Sequence, residues 1–218
     1  MNRQNSISEY PSPIAVDIVR LTALVISKIF WRIEYIGKEN IPRNSERGLL
    51  VAANHQTYFD PFWIAIPVKR KLRFMAWDDA FDWFLIGRLI RYLGAFPVNL
   101  ERGSLSSYRQ AIKVLRGGAN LFIFPEGSRE FSDGKLLPFK NGAVKIALQA
   151  DVPILPVTVR GANRIWSRDL KYPRLGKVKI IFHPLIEVTK PAGKDEEKYI
   201  ETLNDQLVKT IESGLNVD

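Results

Sequence analysis

After Pro42 the sequence alternates short apolar runs with stretches of helical spacing. This alternation constrains the fold more than any other feature. A mainly apolar run too short for a helix and set between helical stretches reads as a strand in a helix-covered sheet. Such runs fall at residues 48–53, 72–76, 120–124, 153–159 and 178–183, and helical spacing falls at 61–68, 81–93, 106–116, 142–150 and 195–207. Serines at 106 and 107 and the pair Gly117, Gly118 bound the third helical stretch, as capping preferences require. The expectation is an α/β fold. With 218 residues, 46% of them hydrophobic, and neither internal repeats nor low-complexity tracts, the chain suits one domain with a full core.

Residues 1–13 are polar and contain two prolines, so they read as a loose lead-in. Residues 14–30 are amphipathic: Asp17, Arg20, Ser27 and Lys28 share one side, and Ile14, Ile18, Leu21, Val25, Ile26 and Ile29 spread over the rest. A helix with so wide an apolar face either lies in a lipid interface, with Trp31 and Tyr35 as nearby anchors, or covers a core.

The charge of +9 is unevenly spread. Residues 187–218 hold eight acids and four bases, leaving 15 acids and 28 bases elsewhere. Two basic clusters stand out: Lys69, Arg70, Lys71 and Arg73, then Arg160, Arg164, Arg168, Lys171, Arg174, Lys177 and Lys179. Such clusters attract phosphate on lipid or nucleic acid, or merely solvate a face. No nucleic-acid-binding signature accompanies them, so no nucleic-acid partner is expected. The absence of cysteine removes disulfides, thiolate metal sites and cysteine nucleophiles. With only His55 and His183 besides, no metal site is expected.

The run at 49–53 leads straight into Asn54, His55, Gln56, Thr57, Tyr58, Phe59, Asp60, Pro61, which sets polar residues at a strand end, where α/β folds place sites. Five helical positions rotate a side chain by about 140°, so His55 and Asp60 meet only across a turn. Asp60 followed by Pro61 supplies one. The aspartate then either caps a helix or returns to the imidazole, fixing its tautomer and leaving the other nitrogen as a base. The sequence offers no nucleophile of its own, since Ser128 lies in Gly127-Ser128-Arg129 and not in a nucleophile elbow. A base without a nucleophile activates a bound substrate, most simply a hydroxyl attacking an acyl group.

The run at 120–124 ends in Pro125, Glu126, Gly127, Ser128, Arg129, with proline and glycine placed as in a type I turn. Arg129 is a planar fork suited to phosphate, and Glu126 suits either an acceptor hydroxyl or an arginine.

Four ordered segments resemble the glycerophospholipid acyltransferase family over residues 33–190: Asn54, His55 and Asp60; Gly94 to Val98; Phe124 to Arg129; and Val152 to Val157. The resemblance implies a single α/β domain of the glycerol-3-phosphate acyltransferase type, with a mixed central sheet flanked by helices. It implies His55 as general base, Asp60 as its partner, and Glu126, Gly127 and Arg129 as binders of a phosphate-bearing acceptor, with Asn54 and Ser128 beside them. Phe139, Lys140 and Gly142 resemble the segment after the third motif. Lys140 precedes a predicted helix N-terminus, a favourable place for an anion. The family's second motif continues with an acid and then arginine, whereas this chain reads Asn99, Leu100, Glu101, Arg102. Arg102 is therefore the candidate phosphate ligand there, and a lysolipid or hydroxyl lipid other than 1-acylglycerol-3-phosphate is the alternative acceptor. His183 is read as a strand-end residue without a chemical role.

The organisation expected is a lead-in and amphipathic helix over 1–32, a catalytic acyltransferase domain over 33–190, and a charged helix over 191–218 packed on the same domain. The implied donor is acyl-CoA or acyl carrier protein, with no resident cofactor. No stretch reaches the ~18 uncharged apolar residues of a membrane span, and the N-terminus lacks signal-peptide character. The expected location is the cytoplasmic face of the membrane, peripheral or monotopic, against an anionic surface. A non-catalytic membrane-binding homologue is the alternative of a different class.

Overall fold

A computed structural model of the chain describes residues 12–216 apart from 44–46, 70–71, 78–80, 83, 85, 93, 99–104, 129–133, 168 and 192–194. The elements are α1 (Pro13–Trp31), β1 (Glu34–Ile36), a 3-10 turn (Lys38–Asn40), β2 (Leu49–Ala53), α2 (Asp60–Ala65), β3 (Leu72–Trp77), α3 (Ile86–Tyr92), β4 (Phe96–Val98), α4 (Leu105–Arg116), β5 (Asn120–Ile123), α5 (Gly142–Ala150), β6 (Ile154–Arg160), α6 (Asn163–Trp166), β7 (Lys179–Phe182) and α7 (Glu196–Leu215).

The strands form one seven-stranded sheet in the order β1-β7-β6-β2-β5-β3-β4. Neighbours are parallel except β6 and β7, so the sheet is mixed, as expected. β2 lies at its centre and all five of its residues are buried. Alternate side chains serve opposite faces. Leu49, Val51 and Ala53 join the core with Trp63, Ile64 and Phe122, beneath α1 and α2. Leu50 and Ala52 join the core with Val144, Ala147, Leu203 and Leu207, beneath α4, α5 and α7.

The predicted strands and helices recur, but the stretch with helical spacing over 61–68 is helical only to Ala65, and the four-residue α6 is too short to show any spacing. Helical spacing over 81–93 yields α3 only from Ile86, where Gly87 lies directly against the Phe81 carbonyl. The last helix runs eight residues beyond its predicted end at 207, because Ile211 and Gly214 keep the buried stripe going. β1 and β4 are too short to show any alternation.

α1 is turned inside out relative to an ordinary surface helix. Ser12 caps it, its hydroxyl accepting from the Ala15 N–H at 3.3 Å. Its inward side carries the buried Val16 and the polar groups Arg20, which donates to the Val68 carbonyl, and Ser27, which accepts from Trp63 Nε1 at 3.0 Å. Its outward side carries Ile14, Ile18, Leu21, Val25, Ile26, Ile29 and Phe30, with Ile14 74% and Ile29 68% exposed. Among the described residues no helix is long and apolar enough to cross a membrane.

α7 docks through Gly214. A Cβ there would lie 2.5 Å from Thr158 Oγ1 and 3.0 Å from His183 Nε2. The Thr158 hydroxyl donates to the Ile211 carbonyl at 2.7 Å, so His183 Nε2 donates to it at 2.8 Å. Burial also moves the His183 pKa down, so the neutral ring is favoured and holds a helix in place. Gly214→Ala is expected to destabilise the fold by about 1–3 kcal/mol despite alanine's better helix propensity, because the methyl has to displace α7. Urea unfolding checks this; an unchanged midpoint would count against the close docking.

Candidate active site

Because β5 and β6 flank β2 and both run parallel to it, the C-terminal ends of the three strands share one edge, where their following loops meet. Asn54 leaves β2 there and pairs both ends of its amide with Val159: Nδ2 donates to the carbonyl at 2.9 Å, and Oδ1 accepts the N–H at 2.7 Å. This side chain lengthens the β2–β6 pairing and fixes where the next residue emerges.

That residue is His55. Its ring stacks on Phe124, at the end of β5, with centroids 3.6 Å apart and planes at 11°. Its Nδ1 lies 3.0 Å from Asp60 Oδ2. Asp60 opens α2 with Pro61 behind it. Its carboxylate points backward into the loop, not forward along the helix. Oδ2 also accepts the N–H groups of Gln56 at 2.6 Å and Thr57 at 2.7 Å, and Oδ1 accepts the Thr57 hydroxyl at 2.8 Å. The Phe59 N–H donates in turn to Thr57 Oγ1 at 2.9 Å. Asp60 is completely buried while the His55 side chain remains 17% exposed. A carboxylate that only accepts puts the imidazole proton on Nδ1 and leaves the basic lone pair at Nε2.

Glu126 reaches the same loop from the neighbouring strand. Residues 124–127 form a turn closed by the Gly127 N–H on the Phe124 carbonyl at 3.0 Å, and the left-handed φ of 71° at Gly127 suits glycine. The Glu126 carboxyl is buried and bridges two segments: Oε1 accepts the His55 N–H at 2.7 Å and Oε2 the Leu137 N–H at 2.8 Å. Desolvation raises its pKa to about 7, against the lowering effect of the two N–H donors, with Asp60 adding to the rise.

The consequence for stability has a definite sign. The folded carboxyl keeps its proton to about pH 7 while the unfolded one releases it near 4.5. Stability from this group is full below 4.5 and falls as pH rises towards 7, by about 3 kcal/mol. Glu126→Gln is expected to flatten the stability curve across that window, in urea unfolding at the two pH values. Parallel curves for the two proteins would show that the carboxyl does not titrate there.

Of the other candidate residues, Gly127 and the exposed Ser128 follow Glu126 on the same turn. Lys140 is exposed and lays its ammonium over Gly127, where a Cβ would lie 3.0 Å from Nζ, while its N–H donates to the Pro125 carbonyl at 2.9 Å. Arg102 and Arg129 lie outside the described residues. The sequence reading passed over Phe124 as the stacking partner of His55. It also passed over Thr57, although a threonine three residues before an aspartate is a local side-chain-to-backbone bonding pattern.

A histidine–aspartate pair at the C-terminal ends of parallel strands lies where α/β sheets place their sites. The chain belongs to the acyltransferase family, whose sequence pattern matches residues 32–160. A 1-acyl-sn-glycerol-3-phosphate acyltransferase of Borreliella burgdorferi is 30% identical over 81% of this chain and 70% of its own length. The protein of the same name from Bacillus subtilis is 29% identical over 88% of this chain and 94% of its own. The chain spans only about half the length of several other relatives. In structure it is similar to the 1-acyl-sn-glycerophosphate acyltransferase PlsC of Thermotoga maritima, with a TM-score of 0.69 and 28% identity over 90% of this chain and 78% of that one.

Proposed function

We propose that the protein transfers a fatty acyl group from an acyl thioester, acyl-CoA or acyl carrier protein, to the free hydroxyl of 1-acylglycerol-3-phosphate, giving phosphatidate. The observation that carries this is the 3.0 Å contact of His55 Nδ1 with a buried, fully bonded Asp60, joined to the names of the relatives. In this reading His55 Nε2 takes the proton as the acceptor oxygen attacks the thioester carbonyl. The tetrahedral intermediate then expels the thiolate, which takes from the imidazolium the proton that the acceptor hydroxyl gave up. Asp60 stabilises that imidazolium and holds the ring in one tautomer. Lys140, Arg129 and Arg102 supply positive charge for the acceptor phosphate, and Gly127 and Ser128 line its approach.

Both the acceptor and the product are amphiphiles, so the reaction belongs at a membrane surface. The outward apolar side of α1 and the basic body of the chain suit the cytoplasmic face of an anionic bilayer. An acyl-transfer assay with both donors against a panel of lysolipids tests the proposal. Turnover of 1-acylglycerol-3-phosphate above all other acceptors is expected. If it were inert while another lysolipid turned over, the assigned acceptor would be wrong and Leu100 would become the residue to vary.

A further inference from the structure

Residues 169–177 join α6 to β7 across the end of the sheet that holds His55, because β6 finishes there and the antiparallel β7 begins there. The segment is bound to the C-terminal turn of α1. Trp31 Nε1 donates to the Arg174 carbonyl at 3.0 Å, and the Gly176 and Val178 N–H groups donate to the carbonyls of Phe30 at 3.4 Å and Trp31 at 3.1 Å. The Arg174 N–H donates to the Ile165 carbonyl at 2.9 Å, tying the same segment to α6.

From this well-bonded loop two large side chains stand in solvent, Tyr172 at 68% and Leu175 at 74% exposure. The Gly176 N–H, one residue after Leu175, meets the Phe30 carbonyl, which sets this loop at the end of α1 where Ile29 and Phe30 are also exposed. Lys171, Arg174 and Lys177 are exposed around them; Lys171 lies 5.4 Å from the Tyr172 ring centroid and Lys177 pairs with Glu34 at 3.3 Å. Apolar tips among cations are the composition of an anionic lipid interface.

The segment reaches the loop bearing His55 through Trp166 of α6, whose Nε1 donates to the Leu170 carbonyl at 3.1 Å. Trp166 packs on Tyr58 and on Phe59 with centroids 5.2 Å apart in each case, and Phe59 packs on Trp31 at 4.8 Å. One aromatic cluster thus ties α1, the loop bearing His55, and the start of the 169–177 segment into a single surface.

We infer that residues 169–177 are a second lipid-inserting element, which acts with α1 to seat the protein on an anionic bilayer with the His55 end of the sheet turned towards the lipid. A single amphipathic helix leaves the domain able to roll about the helix axis. A second contact off that axis removes the roll and sets the site at the bilayer surface, where a lipid acceptor presents its hydroxyl. The inference rests on the membrane-surface part of the proposed function.

The chain has no cysteine, so one introduced thiol reports one position. Leu175→Cys, Ile18→Cys on α1 and Lys113→Cys on α4, across the sheet, each carry an environment-sensitive fluorophore and are mixed with vesicles of equal parts phosphatidylcholine and phosphatidylglycerol. The labels at 175 and 18 are expected to shift to the blue and to escape an aqueous quencher, and the label at 113 to do neither. A label at 175 that stays aqueous while the one at 18 shifts overturns this inference and leaves the proposed function standing. No shift at either removes both this inference and the membrane-surface reading. As an independent measure, Tyr172→Ser combined with Leu175→Ser is expected to lower acyl transfer to lysolipid in those vesicles by about tenfold, and to leave transfer in detergent micelles unchanged. Equal activity of this variant and the native protein on vesicles would overturn the inference.

Discussion

His55→Ala is expected to lower kcat for acyl transfer by about two to four orders of magnitude, the contribution of a well-placed general base. The loss should fall on kcat more than on KM, since the base acts on a proton that moves only in the transition state. The surrounding loop should survive. Asp60 keeps three of its four donors, the N–H groups of Gln56 and Thr57 and the Thr57 hydroxyl, and the His55 N–H still reaches Glu126. What disappears besides the base is a ring stacked on Phe124, a modest loss for a side chain that is partly exposed. Unfolding midpoint and vesicle partition should therefore stay near those of the native protein. If transfer persisted within tenfold of native, the proton would be leaving by another route and the mechanism would have to be abandoned.

The central strands were legible because burial on both faces writes an uninterrupted apolar run, as in Leu49 to Ala53, and α4 and α5 because their stripes and ends follow helical rules. β1 and β4 left no such trace. Three residues pair with a neighbour for reasons that lie in the neighbour's register, Ile180 for Tyr35 and Ala76 for Pro97. The His55–Asp60 pair was legible because Pro61 forces a turn, yet the direction of the carboxylate was not. Asp60 bonds backward to Gln56 and Thr57, a choice made by loop geometry once β2 is docked. Glu126 hides the most. Nothing in its pentapeptide indicates that both oxygens meet backbone N–H groups 71 and 11 residues away in sequence, the first only when β5 lies beside β2 and the second only when the chain before α5 folds back on the turn. The wide apolar face of α1 was visible as composition, but its outward orientation depends on Arg20 and Ser27 finding partners in Val68 and Trp63.

Asp60 separates orientation from charge, through two variants expected to differ in kind. Asp60→Ala leaves the Gln56 and Thr57 N–H groups and the Thr57 hydroxyl without their acceptor in a fully buried place. At about 1–3 kcal/mol for each stranded donor, the fold should lose roughly 3 kcal/mol or more, and activity should vanish with the loop. Asp60→Asn retains the shape. Its carbonyl oxygen can take the place of Oδ2 and accept from His55, Gln56 and Thr57, while its amide donates to a Thr57 hydroxyl turned to receive it. Stability should then fall by only about 1 kcal/mol. Catalysis should still drop by about a hundredfold or more, because the imidazolium formed as the acceptor loses its proton no longer faces a negative charge. Urea unfolding beside steady-state kinetics reads the two effects separately. Native-like activity in a folded Asp60→Asn protein would mean that Asp60 serves only to shape the loop, and the His55 base would have to work without an anionic partner.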